Sequence, residues 1–428
     1  MAAALTGPEV TKALFGGVLD IDGAGHYPGL ELLNFVLCCP DGILPGAEVA
    51  QVRISRRSHA FARRLVAADN ELTETECSAV LLDVESRKAI VHLLRCVELA
   101  VPNAVKSKRW ERTHFFPYTR SLVHWDARIR NKSFKYERRY LRGGGAFAFS
   151  VLRHDPDFER LAKIRAGFES LYPADAQGPL ELLAATLIKH GPSDLEPVYD
   201  TLEKDSKVLN DDLDNLFRDG ISSILSHQRV PEVQRIRAIM NWTGIWLVLL
   251  EAARSAQHVG KERAKIIVDC AGAHPQLRRA SQKRLKDILS NIEEASIQQA
   301  ESLEGKISST QRNKIRGFFS GTAALCGLLN ANKGRRHFTL KLEAIETLVL
   351  ACGPQSERSF ENFTTDWLGD RCGLIVGREA AGKSGLLKDF DATIFEENER
   401  QLAEQMRATG MLRVYSDATR MVSAEVTL

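Results

Sequence analysis

Gly377-Arg378-Glu379-Ala380-Ala381-Gly382-Lys383-Ser384 matches the phosphate-binding pattern G-x-x-x-x-G-K-[ST] at every fixed position, and the apolar run Leu374–Val376 stands just ahead of it. Read literally, the octet specifies a strand, a phosphate loop and a helix, and with them a nucleotide hydrolase built on an α/β sheet. The surrounding sequence argues against that. Of 428 residues only 44 follow Ser384, too few for the alternating strands and helices that complete such a domain. Two of the four fixed positions are glycine, so chance alone supplies the pattern in roughly one chain of this length in a hundred.

The flanking residues fit a different module. Leu340–Ala351 has the apolar spacing of a helix that ends at Gly353-Pro354, and Ser359 can cap a second helix running through Trp367. Glu396–Thr409 is amphipathic and closes at Gly410. Met411–Tyr415 and Thr419–Val426 are β-prone runs joined by the turn Ser416-Asp417-Ala418, which reads as a hairpin. Three helices followed by a hairpin is the order of a winged helix-turn-helix. On that reading Gly377–Leu387 is an extended loop, with Lys383 and Ser384 in solvent.

Working back toward the N-terminus, helical periodicity dominates from Asp157 to Asn332. Helices are expected over Leu180–Ile188, Val233–Ser255, Arg278–Glu304 and Gln311–Leu329, with one short buried strand at Ala264–Cys270. Residues 1 to about 150 are less helical. Short apolar runs such as Val18–Ile21, Leu30–Cys39 and Ala79–Val84 alternate with turn signals including Pro28-Gly29 and Pro45-Gly46, and Gly143-Gly144-Gly145 is the clearest breaker. The expected architecture is mainly α with an α/β N-terminal region, in several domains: 1–145 α/β, 146–335 helical, and 336–428 winged helix-turn-helix-like.

Composition is that of a globular protein, 44% hydrophobic and 26% charged, with a net charge of +3. The longest apolar stretch, Trp242–Ala253, is interrupted by Gly244 and contains Glu251, so a buried helix is expected rather than a membrane span. Eight cysteines without C-x-x-C pairs suit a reducing cytoplasm. No export signal is evident in Met1–Leu5.

Charge is concentrated in Lys106–Arg142, where twelve Lys or Arg face three acids and eight aromatics are interleaved. Cations neutralise phosphates, and exposed rings stack on unpaired bases. The expected nucleic-acid-binding residues are Lys106, Lys108, Arg109, Trp110, Arg112, Tyr118, Arg128, Arg130, Lys132, Lys135, Tyr136, Arg138 and Arg139, with Phe115 stacking or packing beside them. An amphipathic segment whose aromatics fill a core is the alternative. A second basic cluster, Arg278, Arg279, Lys283, Arg284 and Lys286, falls on an expected helix and can track a nucleic-acid backbone or form a solvated face. The helix Glu396–Thr409 carries four Glu against Arg400 and Arg407, which suits a protein partner better than DNA, although Arg413 and Arg420 keep a backbone contact open.

Two segments carry a resemblance. Ile267-Val268-Asp269-Cys270-Ala271-Gly272 continuing through Leu277–Gln282, and Asn398–Val422, are similar to accessory proteins encoded in bacterial antiphage-defence operons. Together they cover about a tenth of the chain. The resemblance implies a subunit of a defence complex and assigns no catalytic residue.

Three enzymatic arrangements deserve comparison. Asp83 and Glu85 after an apolar run are similar to carboxylates that hold Mg²⁺ in nucleases, but Lys88 stands one residue too far for the Glu-x-Lys spacing, and an acidic turn opening a helix fits as well. His154-Asp155 and His124-Trp125-Asp126 lack a second matched pair at metal-ligand spacing. Cys270 and His274 are close enough to form a thiol–imidazole pair, yet a cysteine after a buried strand is usually core. The expectation is therefore a cytoplasmic, non-enzymatic subunit without cofactor or membrane contact. It binds nucleic acid, DNA in preference to RNA, or other protein subunits. The alternatives are a hydrolase using Gly377–Ser384 and a nuclease using Asp83 and Glu85.

Overall fold

A computed structural model of the chain describes residues 3–20, 28–39, 42–50, 52–55, 62, 65–66, 83–99, 114–123, 127–130, 133–136, 144–189, 197–199, 206–263, 265–270, 274–331, 334–353, 358–415 and 419–424. These residues are mostly helical, as the periodicity requires: 64% helix, in 14 helices. In chain order they are α1 (Gly7–Phe15), α2 (Pro28–Leu37), α3 (Val84–Cys96), α4 (Gly145–Arg153), α5 (Phe158–Leu171), α6 (Pro179–Lys189) and α7 (Asp212–Ser226). The second half holds α8 (Glu232–His258), α9 (Pro275–Ser302), α10 (Ser309–Leu325), α11 (Leu342–Ala351), α12 (Phe360–Asn362), α13 (Arg378–Lys383) and α14 (Ala392–Ala408). A π-helical stretch, Phe363–Cys372, continues α12.

The strands are short. Two parallel pairs join β1 (Ala3–Leu5) to β9 (Gly305–Ile307) and β8 (Ile266–Ile267) to β11 (Leu374–Ile375). Antiparallel pairs join β2 (Arg53–Ser55) to β7 (Pro197–Tyr199), β3 (Glu98–Leu99) to β4 (His114–Phe115), and β5 (Ala127–Arg130) to β6 (Ser133–Tyr136). A three-stranded antiparallel sheet has the order β10 (Arg358–Ser359), β13 (Arg420–Val422), β12 (Leu412–Val414). Leu30–Cys39, a short apolar run in the sequence, is mostly helix: all ten residues of α2 are buried, so it shows no amphipathic stripe.

The chain divides into two compact units that interleave in sequence. One comprises Met1–Asp20, Asp155–Ile164 and Asp205–Leu428, the other Ile21–His154 and Arg165–Lys204. Composition shifts along a chain register consecutive blocks and carry no signal for such interleaving.

The first unit is organised around α8, which packs against α1, α7, α9, α10 and α11. It is the one helix among the described residues long and apolar enough to span a membrane, and 83% of that window is buried within the protein. Trp242 and Trp246 anchor it. Their indole N–H groups donate to the backbone carbonyls of Phe217 (3.1 Å) and Leu213 (2.8 Å) on α7, so burying them leaves no polar atom unpaired. Gly220 makes the close approach possible: a Cβ there would lie 2.2 Å from the Trp242 Nε1. Trp367 stacks on Trp242 at 5.8 Å and donates to the Leu348 carbonyl, which ties the π-helical stretch and α11 to the same core.

Buried arginines join the separated segments of this unit. Arg254 of α8 donates to the Phe15 carbonyl at the end of α1 and pairs with Asp211 (2.8 Å) and Asp214 (3.1 Å). The Asp155 carboxylate, fully buried, receives Arg160 at 2.7 Å and lies 3.8 Å from Arg218, whose side chain is equally buried. Breaking such a pair strands the surviving charge in a low dielectric, so each partner locks the other in place.

In the second unit α2 packs on α4, with Phe35 stacked on Phe149 at 5.2 Å. Glu31 is buried and accepts from the Gly145 N–H at the start of α4 (2.7 Å), an acid at a helix N-terminus. Arg153 ends α4 and donates to the carbonyls of Pro45, Gly46 and Val49, which shapes the loop over 45–49.

A core carboxyl group on α8 lacks any such partner among the described residues. Glu251 on α8 is fully buried and neither carboxyl oxygen has a hydrogen-bond partner, so burial raises its pKa well above the ordinary carboxylate value. The folded protein therefore keeps a proton that the unfolded chain releases, and the stability this group supports is lost as pH rises from the unfolded value toward the folded one. Glu251→Gln removes the titration. Its stability relative to the parent should rise with pH across that window by about 1.4 kcal/mol per unit, measured by chemical denaturation at a series of pH values. A pH-independent difference would show that Glu251 does not carry the proton.

Candidate nucleic-acid interface

Gly377–Ser384 does not have the backbone of a phosphate loop in this structure, nor is it the extended, solvated loop expected from the sequence. Arg378–Lys383 is helical: the Ala381 and Ser384 N–H groups bond to the carbonyls of Gly377 (3.0 Å) and Ala380 (3.1 Å), and the Ser384 hydroxyl donates to Ala380 O at 2.7 Å. Ala380 and Ala381 favour helix intrinsically, and they bury against Ile375, Ile394 and Phe395. Lys383 lies near the carboxylates of Asp370 (3.1 Å), Glu379 (3.8 Å) and Asp366 (4.0 Å), and the Asp370 hydrogen bond holds its pKa above the ordinary lysine value. Glu399 crowds Gly377, since a Cβ built there would be 2.6 Å from a carboxylate oxygen. Three carboxylates around Lys383 and a fourth beside Gly377 disfavour an anionic phosphate at these positions.

The other catalytic alternatives also resolve into structural roles. Asp83 is the N-cap of α3, its carboxylate accepting from the Ser86 N–H and hydroxyl, both at 2.7 Å, while Lys88 pairs with Glu85 in solvent. Asp83 thus opens a helix, as one of the two readings expected, and no metal-binding group of three or more His, Cys, Asp or Glu occurs among the described residues. Cys270 is buried, which pushes its thiol far up and disfavours a nucleophilic thiolate. His274 is the backbone N-cap residue of α9. His154 bonds Ser150 O through Nδ1 (2.8 Å), and Asp155 belongs to the arginine network. His124 and Asp126 lie outside the described residues.

Of the cations and aromatics expected to bind nucleic acid, Lys106, Lys108, Arg109, Trp110, Arg112, Lys132, Arg138 and Arg139 also lie outside the described residues. Arg128, Arg130, Lys135 and Tyr136 sit on the β5–β6 hairpin, with Arg128 in register with Lys135 and Tyr136 with Ala127. Tyr118 is half-buried, its ring 4.4 Å from Phe116. Phe115 is fully buried in a cluster with Leu94, Val97 and Leu122, so between stacking and packing it packs.

The second basic cluster gains partners from elsewhere in the chain. Arg279, Lys283 and Lys286 are exposed on α9, with Leu285, Ile288 and Leu289 turned inward. Beside it 327–331 and 334–341 pair as the two arms of a hairpin: Leu329 bridges Phe338, and Thr339 and Lys341 donate to Leu328 O and Gly327 O. Asn330 staples its tip, the side chain accepting from the His337 N–H (2.9 Å) and donating to Arg335 O (3.3 Å). Gly334 turns there at φ +85°, which side chains resist.

The hairpin is pinned to the helix through one residue. The Phe338 N–H donates to the Ser281 hydroxyl at 2.8 Å, and its carbonyl accepts from the Asp269 N–H at 3.0 Å; all three residues are buried. Asp269 in turn lies 3.5 Å from Arg278 and 3.7 Å from His337 Nε2. Burial holds the His337 imidazole below its ordinary value against the pull of Asp269, so the ring is neutral at pH 7 and that contact is not an ion pair.

The result is a concave basic surface. Lys286 and Gln282 on α9, Arg316 on α10 and the hairpin's Arg335 and Arg336 line one open cavity of about 520 Å³. Lys286, Arg335 and Arg336 make no ion pair among the described residues, whereas Arg316 pairs with Glu293 at 2.8 Å and Arg312 joins that carboxylate at 3.3 Å. Arg316, Arg335 and Arg336 were not anticipated from the sequence. The signal for the hairpin pair was Gly334-Arg335-Arg336-His337, a turn glycine followed by three basic residues. No protein-family model matches the chain, and neither a curated protein nor a solved structure does.

Two outcomes test these assignments. Lys383→Ala should leave ATP and GTP binding, read by equilibrium titration, unchanged from the parent; a loss of nucleotide affinity would reinstate the phosphate loop. Ser281→Ala leaves the buried Phe338 N–H unpaired and should cost about 1–3 kcal/mol, with faster hydrogen exchange at that amide. Unaltered exchange would mean the hairpin is held by other contacts.

Proposed function

We propose that the chain is a non-enzymatic subunit that binds nucleic acid and holds protein partners within a larger assembly. The observation that carries this reading is the basic concavity between α9, α10 and the 327–341 hairpin, lined by Lys286, Arg335 and Arg336, which make no ion pair among the described residues. Clustered, uncompensated cations suit a polyanion because each neutralised phosphate releases condensed counterions. The cations of Lys106–Arg142 supply a second contact on the same reading.

The C-terminal residues support a protein-docking role. The sheet order β10-β13-β12, with α12 following β10 and α14 leading into β12, is compatible with a winged helix. The helix in the recognition position, α14, is acidic, and Arg420 on the hairpin is occupied by Glu361 and the Phe360 ring at 4.6 Å. Such a module repels phosphate and suits a basic protein surface. The similarity of Ile267–Gly272, Leu277–Gln282 and Asn398–Val422 to accessory proteins of antiphage-defence operons supports a bacterial defence complex as the assembly.

The test is binding of labelled DNA across a salt series. The combined variant Lys286→Glu, Arg335→Glu, Arg336→Glu should bind at least about 100-fold more weakly at ~0.1 M salt, with the log–log salt slope shallower by roughly 2–3. Its circular dichroism should match the parent, because none of these side chains is buried. Unchanged affinity would remove the concavity as the binding site.

A further inference from the structure

Resting on the nucleic-acid reading, we infer that the concavity takes an unpaired nucleotide of a single strand rather than the backbone of a duplex. A duplex presents paired phosphate ridges with its bases turned inward, so a positively charged surface without depth is sufficient to hold it. The surface here is concave, an open cavity of about 520 Å³, a volume comparable to that of small-ligand sites.

Its lining is graded in a way that a backbone track does not need. Leu285 and Leu289, one helical turn apart on α9 and mostly buried, contribute only their apolar edges to its floor. Gln282 and Ser290 add neutral hydrogen-bonding groups beside that floor. Glu293 accepts from Arg316 and faces Arg312, so its charge is balanced within the wall and does not repel a phosphate. Lys286, Arg335 and Arg336, which make no ion pair among the described residues, complete the lining.

That division matches the parts of one nucleotide. The π-face of a base covers apolar surface, its edge hydrogen-bonds to amide and hydroxyl groups, and the flanking phosphates reach the cations. A guanidinium such as Arg316, half-exposed and hydrogen-bonded to Glu293, offers a planar face for stacking. A paired base cannot enter, because its edge is already engaged and its faces are stacked.

The experiment compares three probes on the intact chain at one salt concentration: an oligothymidylate of about 20 nucleotides, the same length as duplex, and free thymidine monophosphate. A second protein, Ser290→Arg, alters an exposed residue of the lining. It adds a positive charge while filling the space, so electrostatics alone would strengthen every complex. The expected result is roughly tenfold tighter binding of the single strand than of duplex, little affinity for the free nucleotide, and loss of the single-strand preference in Ser290→Arg. Equal or tighter duplex binding would overturn the inference and leave the nucleic-acid reading standing. No binding of either polymer at low salt would overturn both. A single-strand preference that survives in Ser290→Arg would put the unpaired strand elsewhere and defeat this assignment. Free nucleotide bound as tightly as the strand would also defeat it, in favour of a mononucleotide site.

Discussion

The backbone of Phe338 is held at both its polar ends, by the Ser281 hydroxyl on α9 and by the Asp269 N–H just past β8. The basic surface depends on this pair of hydrogen bonds. A hairpin of this length has no packed core of its own and is marginal by itself in water. Fixed at Phe338, it turns Arg335 and Arg336 toward Lys286 instead of leaving them on a free tip. The ring of Phe338 meets Phe319 edge-on at 6.4 Å, so the residue that sets the register also joins the hairpin to α10.

The same economy recurs at Asn398 on α14. Its side-chain oxygen accepts from the Cys270 N–H, and its amide donates to the carbonyls of Val268 and Val376, each at 2.9 Å. The two parallel strands β8 and β11 are only two residues long and run out at these positions, so their terminal backbone groups would be buried without partners. One buried amide satisfies three of them, and the Gln405 side-chain amide, two turns further along α14, donates to Cys270 O. Through this contact the C-terminal helix and the strand that precedes α9 are parts of one scaffold. Where a nucleotide-binding sheet would open a crevice at its strand ends, this protein has closed it with an amide.

Much of the helical architecture was legible because long helices announce themselves by period. Glu232–His258, Pro275–Ser302 and Ser309–Leu325 begin within three residues of where the apolar spacing starts them, and Ser359 caps the helix it was expected to cap. The Arg413-to-Met421 pairing likewise follows from two β-prone runs around one turn. The short helix Arg378–Lys383 was misread because its loop-like glycines at both ends outweighed two alanines, and the decisive contact, burial against Phe395, is not local. The basic surface was half visible. Periodicity exposes the cations on α9, but only the fold brings residues 316, 335 and 336 beside them. Spacing in sequence says nothing about a turn clamped by a serine one helix away.

Ser281 and Phe338 are separated by 57 positions, and every residue that lines the concavity lies between 282 and 336. A surface drawn from one uninterrupted stretch needs a comparatively short loop to close, and the entropic toll of closure rises only logarithmically with length. By contrast, the union of β1 with β9 and of α1 with Arg254 must bring together positions some 240 or more apart. The basic surface therefore belongs to the topologically simplest part of its unit, one whose geometry insertions before β8 or after α11 would leave in place.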